Sequence, residues 1–468
     1  MAEVSFPKGQ SDEFTLLQPI WEPYNPVAEA LCDELIADLG LPTTVGKLPR
    51  YRAFMASLLV ICRRKDLVGI PHKNDYWSPF PLLGRSIANA CTGSLAVCHL
   101  LHKVEGTGKR VFQKSENNTI SYDALTSLYI PSDELIALAN TTGAEFIETG
   151  RPYVKVNAAE THSEKHIRER YNRSKPSVGL STLPEASHVV INSDKERLAA
   201  IATFWRSHPL RVSKGLYAAS VTRIYHNGRT DAGGRLYGYW TNQKSEHRKT
   251  YTIDGEATAQ IDVTGSQPTL LSALLGIPFQ IVPADQKPEI WYDPYGEIAF
   301  SFMGTLGDEV WENWGEGDGI VPYRNLFKKI SSELIGTGNP GKLKPSKETR
   351  AEFNLSDEEW ITARDFLLRR IPALKKLDKE YINGANFLSY HESQIMMRTL
   401  EECLSRNLPA YPVHDCLIVK ESDVEKGAEA YGDACAAYLE ALGVDPIKIG
   451  FTIEVDGKSK RTQGSFLF

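Results

Sequence analysis

Apolar residues recur at helical spacing in "PVAEALCDELIADLG", "RYRAFMASLLVICRRKD", "PLLGRSIANACTGSLAVCHLLHKV" and "SDVEKGAEAYGDACAAYLEALG", the first and last closed by a glycine stop. A further helix is expected around 194–208, and a long helical region from about 294 to 408. Short runs of strand-favouring residues lie between these stretches: "TAQIDVTG", "YPVHDCLIV" and the closing "IGFTIEVDGK". They predict strands at 258–263 and 411–419, with a Gly-rich stretch at 227–240 ahead of the first. Helices and strands in separate blocks point to an α+β fold.

The first part of the chain reads as more helical than the second. Residues 1–45 mix Pro-rich connections with one amphipathic helix, and residues 46–180 hold two more helices before "EGTGKRVFQ", a Gly-bearing turn beside a strand. Helices followed by a basic β-turn fit a winged-helix-like nucleic-acid-binding module as well as an ordinary helical subdomain. The stretch "KVNAAETHSEKHIRERYNRSKP" at 155–176 is either a solvated helix and linker or a phosphate-contacting arm. A domain boundary is expected near 180.

Composition narrows this picture only a little. The 468 residues are 42% apolar and 10% aromatic, which excludes large-scale disorder and allows two to four domains. A net charge of −6 makes nucleic-acid binding a matter of local basic patches. Seven cysteines without CxxC spacing argue against a disulfide framework and a zinc site. With no leader-like start and no apolar run near the ~20 residues of a membrane span, the expectation is a soluble, cytoplasmic monomer.

The chemistry lies in two strands that carry acids where acids are unwelcome. Asp262 ends the apolar run "AQID" and Asp415 interrupts "YPVHDCLIV". A buried carboxylate needs a partner, and a metal cation is one candidate. If the two strands are neighbours, the like charges approach and demand a counter-charge. Between them, "YRNLFKKISSELIGTG" projects Arg324 and Lys328 from one helical face, an arrangement suited to a polyphosphate. In "LSYHESQIMMRTLEECLSRNL", Glu392 and Ser393 follow His391 near the expected helix start, where they either cap the helix or serve the site.

Taken in order, "TDAGGRLYGYW", "QIDVTGSQPTLLSALLG", "YRNLFKKISSELIGTG" and "PVHDCLIV" resemble the motifs of the family A DNA polymerases and the related single-subunit RNA polymerases of phages and mitochondria, across roughly residues 180–468. The resemblance implies a right-hand fold with an antiparallel palm sheet in two halves, 181–293 and 386–468, and helical fingers at 294–385. The amino-terminal part would then serve as thumb or template-binding module. It implies template-dependent nucleotidyl transfer to a 3′-OH, with two Mg²⁺ ions (or Mn²⁺) held by Asp262, Asp415 and the carbonyl of Val263. Arg324 and Lys328 would neutralise the triphosphate and Lys328 would protonate pyrophosphate. Arg235 and Tyr237 would contact template or primer, and His414 would position the primer end.

Two positions depart from the family's pattern. Ile335 and Gly336 stand where the family's fingers helix has a Tyr-Gly that stacks on the nascent base pair. Gln267 stands where the DNA polymerases have a glutamate and the RNA polymerases a glycine, so the sugar preference is open between blocking and hydrogen-bonding the 2′-hydroxyl. No proofreading exonuclease is expected, because the residues before the palm lack a strand with Asp-x-Glu. The implied partners are a nucleic-acid template and primer and nucleoside triphosphates, without a membrane, in a bacterial or phage-infected cell or from a mobile element. The competing readings are a DNA-binding regulatory protein with a palm-like fold and no catalysis, and a phosphohydrolase built on Asp415.

Overall fold

The computed structural model describes residues 14–17, 20–63, 67–70, 85–104, 110–114, 120–124, 127–161, 163–165, 175–280, 293–305, 320–378, 384–444, 449–455 and 458–466. Residues 162 and 166–174 of the charged stretch at 155–176, and the turn at 105–109, lie outside them. The chain divides into two compact units, Met1–Tyr153 with Trp205–Thr222, and Val154–Phe204 with Arg223–Phe468. Among the described residues no helix is long and apolar enough to cross a membrane. The seven cysteines are free.

The first unit is mixed rather than mainly helical, which corrects the sequence expectation. Helices Pro26–Asp38, Leu48–Cys62, Arg85–Val97 and Asp133–Ala139 are interleaved with strands. One sheet runs Phe14–Leu16, Leu67–Ile70, Ser127–Pro131, Leu101–Lys103, and another joins Trp21–Pro23, Phe146–Glu148, Leu216–Ala218 and Leu210–Ser213. The signal missed was short: "SLYIP" alternates buried and half-buried positions with period two over only five residues. Helix Leu48–Cys62 lies at the centre, with Phe54, Leu58 and Leu59 wholly buried. Arg63 at its end donates to the carbonyls of Ala139 at 2.9 Å and Ala144 at 2.7 Å, satisfying turn carbonyls that would otherwise be left unpaired.

The second unit carries the acids. It opens with β1 (Val154–Val156), helix α1 (Glu185–Ser207) and the ribbon β2 (Thr222–Tyr225) and β3 (Gly233–Tyr237). Next come β4 (Thr252–Ile253), β5 (Glu256–Val263) and helices α2 (Ser266–Leu275), α3 (Pro294–Met303), α4 (Ile320–Thr337) and α5 (Asp357–Arg370). The long helix α6 (Gly384–Ser405) leads into β6 (Ala410–Val413), β7 (Cys416–Lys420), α7 (Val424–Ala441), β8 (Ile449–Val455) and β9 (Lys458–Phe466). The main sheet is antiparallel in the order β6-β7-β5-β8-β9, with β5 at its middle. The single stretch expected at 411–419 is a hairpin, because His414 takes a left-handed conformation (φ 59°) that reverses the chain. Pro412, which cannot donate to a ladder, sits on β6, the end strand of the sheet among the described residues.

Helix α7 lies close on this sheet: a Cβ added to Gly427 would stand 3.0 Å from Ile261 and Val419. Helix α6 packs against α7 and against β3. A buried polar network ties α1 and the β2–β3 ribbon to α6. Arg223, wholly buried, donates to Asp194 at 2.6 Å, to Ser393 Oγ at 3.1 Å and to the Gly234 carbonyl at 3.1 Å. Tyr225 donates to the other Asp194 oxygen at 2.6 Å. Removing one partner from such a pair strands a charge in a low-dielectric place. Asp194→Ala is therefore expected to lower unfolding stability by about 3–5 kcal/mol in denaturant titrations, and a loss under about 1 kcal/mol would show that the network is replaceable.

Between α6 and α7, His391 Nδ1 lies 2.6 Å from the Tyr438 hydroxyl, and burial pushes the imidazole down to about 4. The unfolded chain takes up a proton near pH 6.5 while the folded chain refuses it, so stability is lost as pH falls from 6.5 toward 4. The slope from this group is at most about 1.4 kcal/mol per pH unit. His391→Gln should flatten that part of the stability profile in chemical melts, and an unchanged profile would remove His391 as its source.

Candidate active site

Two chain reversals place the acids. Strand β5 ends at Val263 and the chain turns through Thr264 and Gly265 into α2. Gly265 has φ 61°, and a Cβ there would lie 2.7 Å from Pro294, so the turn requires glycine on both counts. The second reversal is the turn His414–Asp415 between β6 and β7. In the antiparallel register Asp262 faces Cys416, which sets Asp415 beside the end of β5. The hairpin is held from behind by Trp240, whose indole donates to the Pro412 carbonyl at 2.8 Å and meets Tyr411 edge-on.

The electrostatics of the pair are adverse. Burial, then Glu392, then Asp262 push the Asp415 carboxyl up to about 8, against the pull of Arg235. Asp262 is raised as well, by burial first and by Glu392, while Lys328, Arg248 and Arg324 oppose the rise. Solvent reaches the Asp262 side chain, so the burial effect counts for less there than at Asp415. Tyr431 of α7 donates to the Asp415 backbone carbonyl at 3.0 Å, fixing the turn without neutralising the carboxylate.

Glu392 is the hub behind this pair. Although expected near a helix start, it lies in the middle of α6 and only 4% of it is exposed, so the capping reading is excluded. It forms an ion pair with Arg235, accepts from Ser266 Oγ at 2.7 Å and accepts from Gln267 Nε2 at 3.3 Å. One carboxylate thus ties together β3, the start of α2 and α6. Glu392 and Asp415 outweigh burial and hold the Arg235 guanidinium above its ordinary range. Within the Gly-rich stretch at 227–240, "GGRLY" is strand β3. Tyr237 on β3 meets the His414 ring edge-on at 5.5 Å between centroids. Burial and then Arg235 push the His414 imidazole down, and its Nδ1 is buried without a partner among the described residues. Ser393, one residue on from Glu392, is turned to Arg223 and the Tyr390 carbonyl and serves the buried network.

Helix α4 presents Arg324 and Lys328 on one face, and both lower the Asp262 carboxyl through space. Lys328 is exposed, whereas Arg324 forms an ion pair with Asp293. Asp293 caps α3 by accepting from Tyr295 N at 3.1 Å, so one residue starts α3 and aims the arginine. Ile335 is buried on the packed side of α4 and Gly336 is exposed, and neither offers a ring for stacking. Sequence reasoning missed Asp293, Arg248, Ser266 and Tyr431. Of these only Asp293 had a signal, the Asp-Pro that opens a helix.

The oxygen-only donors Asp262, Asp415 and the Val263 carbonyl suit a hard divalent cation, and the raised carboxyls mark a site short of positive charge. Among the described residues no group of three or more His, Cys, Asp or Glu side chains could hold a metal ion by itself. A cation here would depend on the pair and on ligands from a substrate.

No protein-family model matches the chain, and no curated protein matches it. Among solved structures it is similar to the POL domain of Pol1 from M. smegmatis in complex with DNA primer-template and dNTP, with 12% identity and a TM-score of 0.33 over 64% of this chain and 58% of that chain. The match thus spans less than two thirds of that domain, and a likeness this distant carries no functional assignment.

Proposed function

We propose that the second unit is a template-directed nucleotidyltransferase that extends a primer from nucleoside triphosphates. The observation that carries this reading is the convergence of Asp262 and Asp415 at the ends of two hydrogen-bonded antiparallel strands, beneath a helix that presents Arg324 and Lys328. On this reading residues 181–293 and 386–468, with the sheet β5 to β9 at their centre, form the palm, and residues 294–385, with α3 to α5, the fingers.

The two carboxylates and the Val263 carbonyl would hold Mg²⁺, which supplies positive charge where phosphoryl oxygens gain negative charge. Arg324, aimed by Asp293, and Lys328, one turn away, neutralise the triphosphate, and Lys328 is placed to give a proton to the leaving pyrophosphate. Arg235, braced by Glu392, and Tyr237 contact the template or primer, and His414, packed edge-on against Tyr237, positions the primer end. Gln267 borders the sugar with its amide NH₂ drawn to Glu392, so its carbonyl oxygen is the atom available to a 2′-hydroxyl. Catalysis is then chiefly positioning and charge neutralisation.

A primer–template extension assay with dNTPs or rNTPs tests the reading. Asp262→Asn and Asp415→Asn should each reduce extension at least roughly a hundredfold. Asp415→Asn should leave the melting temperature unchanged or higher, because the cost of protonating or ionising that carboxyl in the fold is gone. Extension that survives either substitution sinks the assignment of the pair. In the same assay, Gln267→Gly should change the ratio of dNTP to rNTP incorporation, and a constant ratio would take Gln267 out of the sugar pocket.

A further inference from the structure

On the β1–β2 edge lies a group of cations that the proposed chemistry does not use. β1 runs parallel to β2 with Lys155 opposite Ile224, and the ladder continues through Asn157 N donating to the Tyr225 carbonyl at 2.9 Å. On the other side of β1, Ala158 N donates to the Pro176 carbonyl at 2.9 Å and Asn157 bridges to Ser177, which brings Lys175 alongside. His226 follows β2, and its Nδ1 stands 3.4 Å from Asn157 Nδ2. The ring is packed on the hairpin so closely that a Cβ at Gly233 would lie 2.3 Å from it.

Counter-charge here is sparse. Among the described residues no carboxylate pairs with half-buried Lys155, and Lys175 reaches Glu160 at 3.8 Å, a loose contact. Asp231, the nearby acid of the hairpin, is committed to Arg229 at 2.6 Å. Burial depresses the Lys155 ammonium, and burial followed by Lys175, Arg235 and Lys155 depresses the His226 imidazole. The last three cations therefore act on one ring, and Arg235 links the group to Glu392. Asn157, only 6% exposed, buries an Oδ1 that has no donor. An anion beside His226 raises its proton affinity, and the Nδ1–H then supplies that oxygen once the amide turns over.

We propose that Lys155, Lys175 and His226 form a phosphodiester-binding surface that holds the backbone of a nucleic-acid strand as it leads to Arg235. Its occupant, a nucleic acid, rests on the polymerase reading. Cations set along neighbouring strands suit successive phosphates, and such contacts position a strand without reading its sequence.

The test measures binding of a labelled primer–template by fluorescence anisotropy at several salt concentrations, in a chain carrying Asp262→Asn so that catalysis plays no part. Adding Lys155→Met with Lys175→Ala should weaken binding roughly tenfold at low salt and flatten the log–log salt slope by about 1 to 2. Lys426→Ala, removing an exposed cation on α7, should move neither. An unchanged affinity and slope, or an equal loss in the Lys426 variant, overturns the proposal. Inorganic phosphate that binds the cluster while oligonucleotide affinity is the same with and without the two lysines overturns it too. If the lysine variants lose oligonucleotide binding while the unmodified chain extends no primer, this surface stands and the polymerase reading falls. If the unmodified chain extends primers and the two lysines prove irrelevant to binding, the outcome is reversed.

Discussion

The second unit is organised around a repulsion. Asp415 sits in a turn where burial, Glu392 and Asp262 all disfavour its charge, and its carboxyl is pushed up to about 8. A fold under selection for stability alone would have no reason to set three acids against one another. The surroundings do not relieve the strain. The β6–β7 turn is locked by Tyr431 and Trp240 through the backbone, so the hairpin cannot swing the carboxylate away. On the proposed reading this set of acids would be relieved by an added positive charge, and Lys328, Arg248 and Arg324 already act on Asp262 through space.

Glu392 reconciles this arrangement with a stable fold. As a buried acid it would be costly alone, yet Arg235, Ser266 and Gln267 satisfy it. In doing so it joins the strand before the first acid, the helix after it and the helix before the second. One residue further along α6, Ser393 is gripped by Arg223 from the Asp194 network. The positions of the candidate site side chains are thereby coupled to a buried, hydrogen-bonded polar core, which gives rigidity that an apolar core of the same volume does not direct.

The basic group on the β1–β2 edge has the opposite character. Its charges are cationic, its acids are few or engaged elsewhere, and Arg235 is common to both groups. A chain of net charge −6 thus concentrates cations locally, which a bulk charge count does not reveal.

How much of this was legible in the chain follows from the range of the interactions. "QIDVTG" and "PVHDCLIV" disclosed the two acids because an ionisable residue in an apolar run is a local anomaly. Helix α4 and its i, i+4 cations were legible for the same reason of fixed periodicity. The strands of the first unit were not, since three to five residues are too few to establish a period. Nor could local pattern show that Glu392 is a buried hub, because its partners lie 125 to 157 positions away. Sequence by itself determined which residues carry charge and where the longer periodic stretches coil, as those depend on neighbours along the chain. Tertiary structure alone decided that Asp262 stands by Asp415, that Asp293 aims Arg324 and that Lys155 and Lys175 flank His226, because only the register of paired strands brings those groups together.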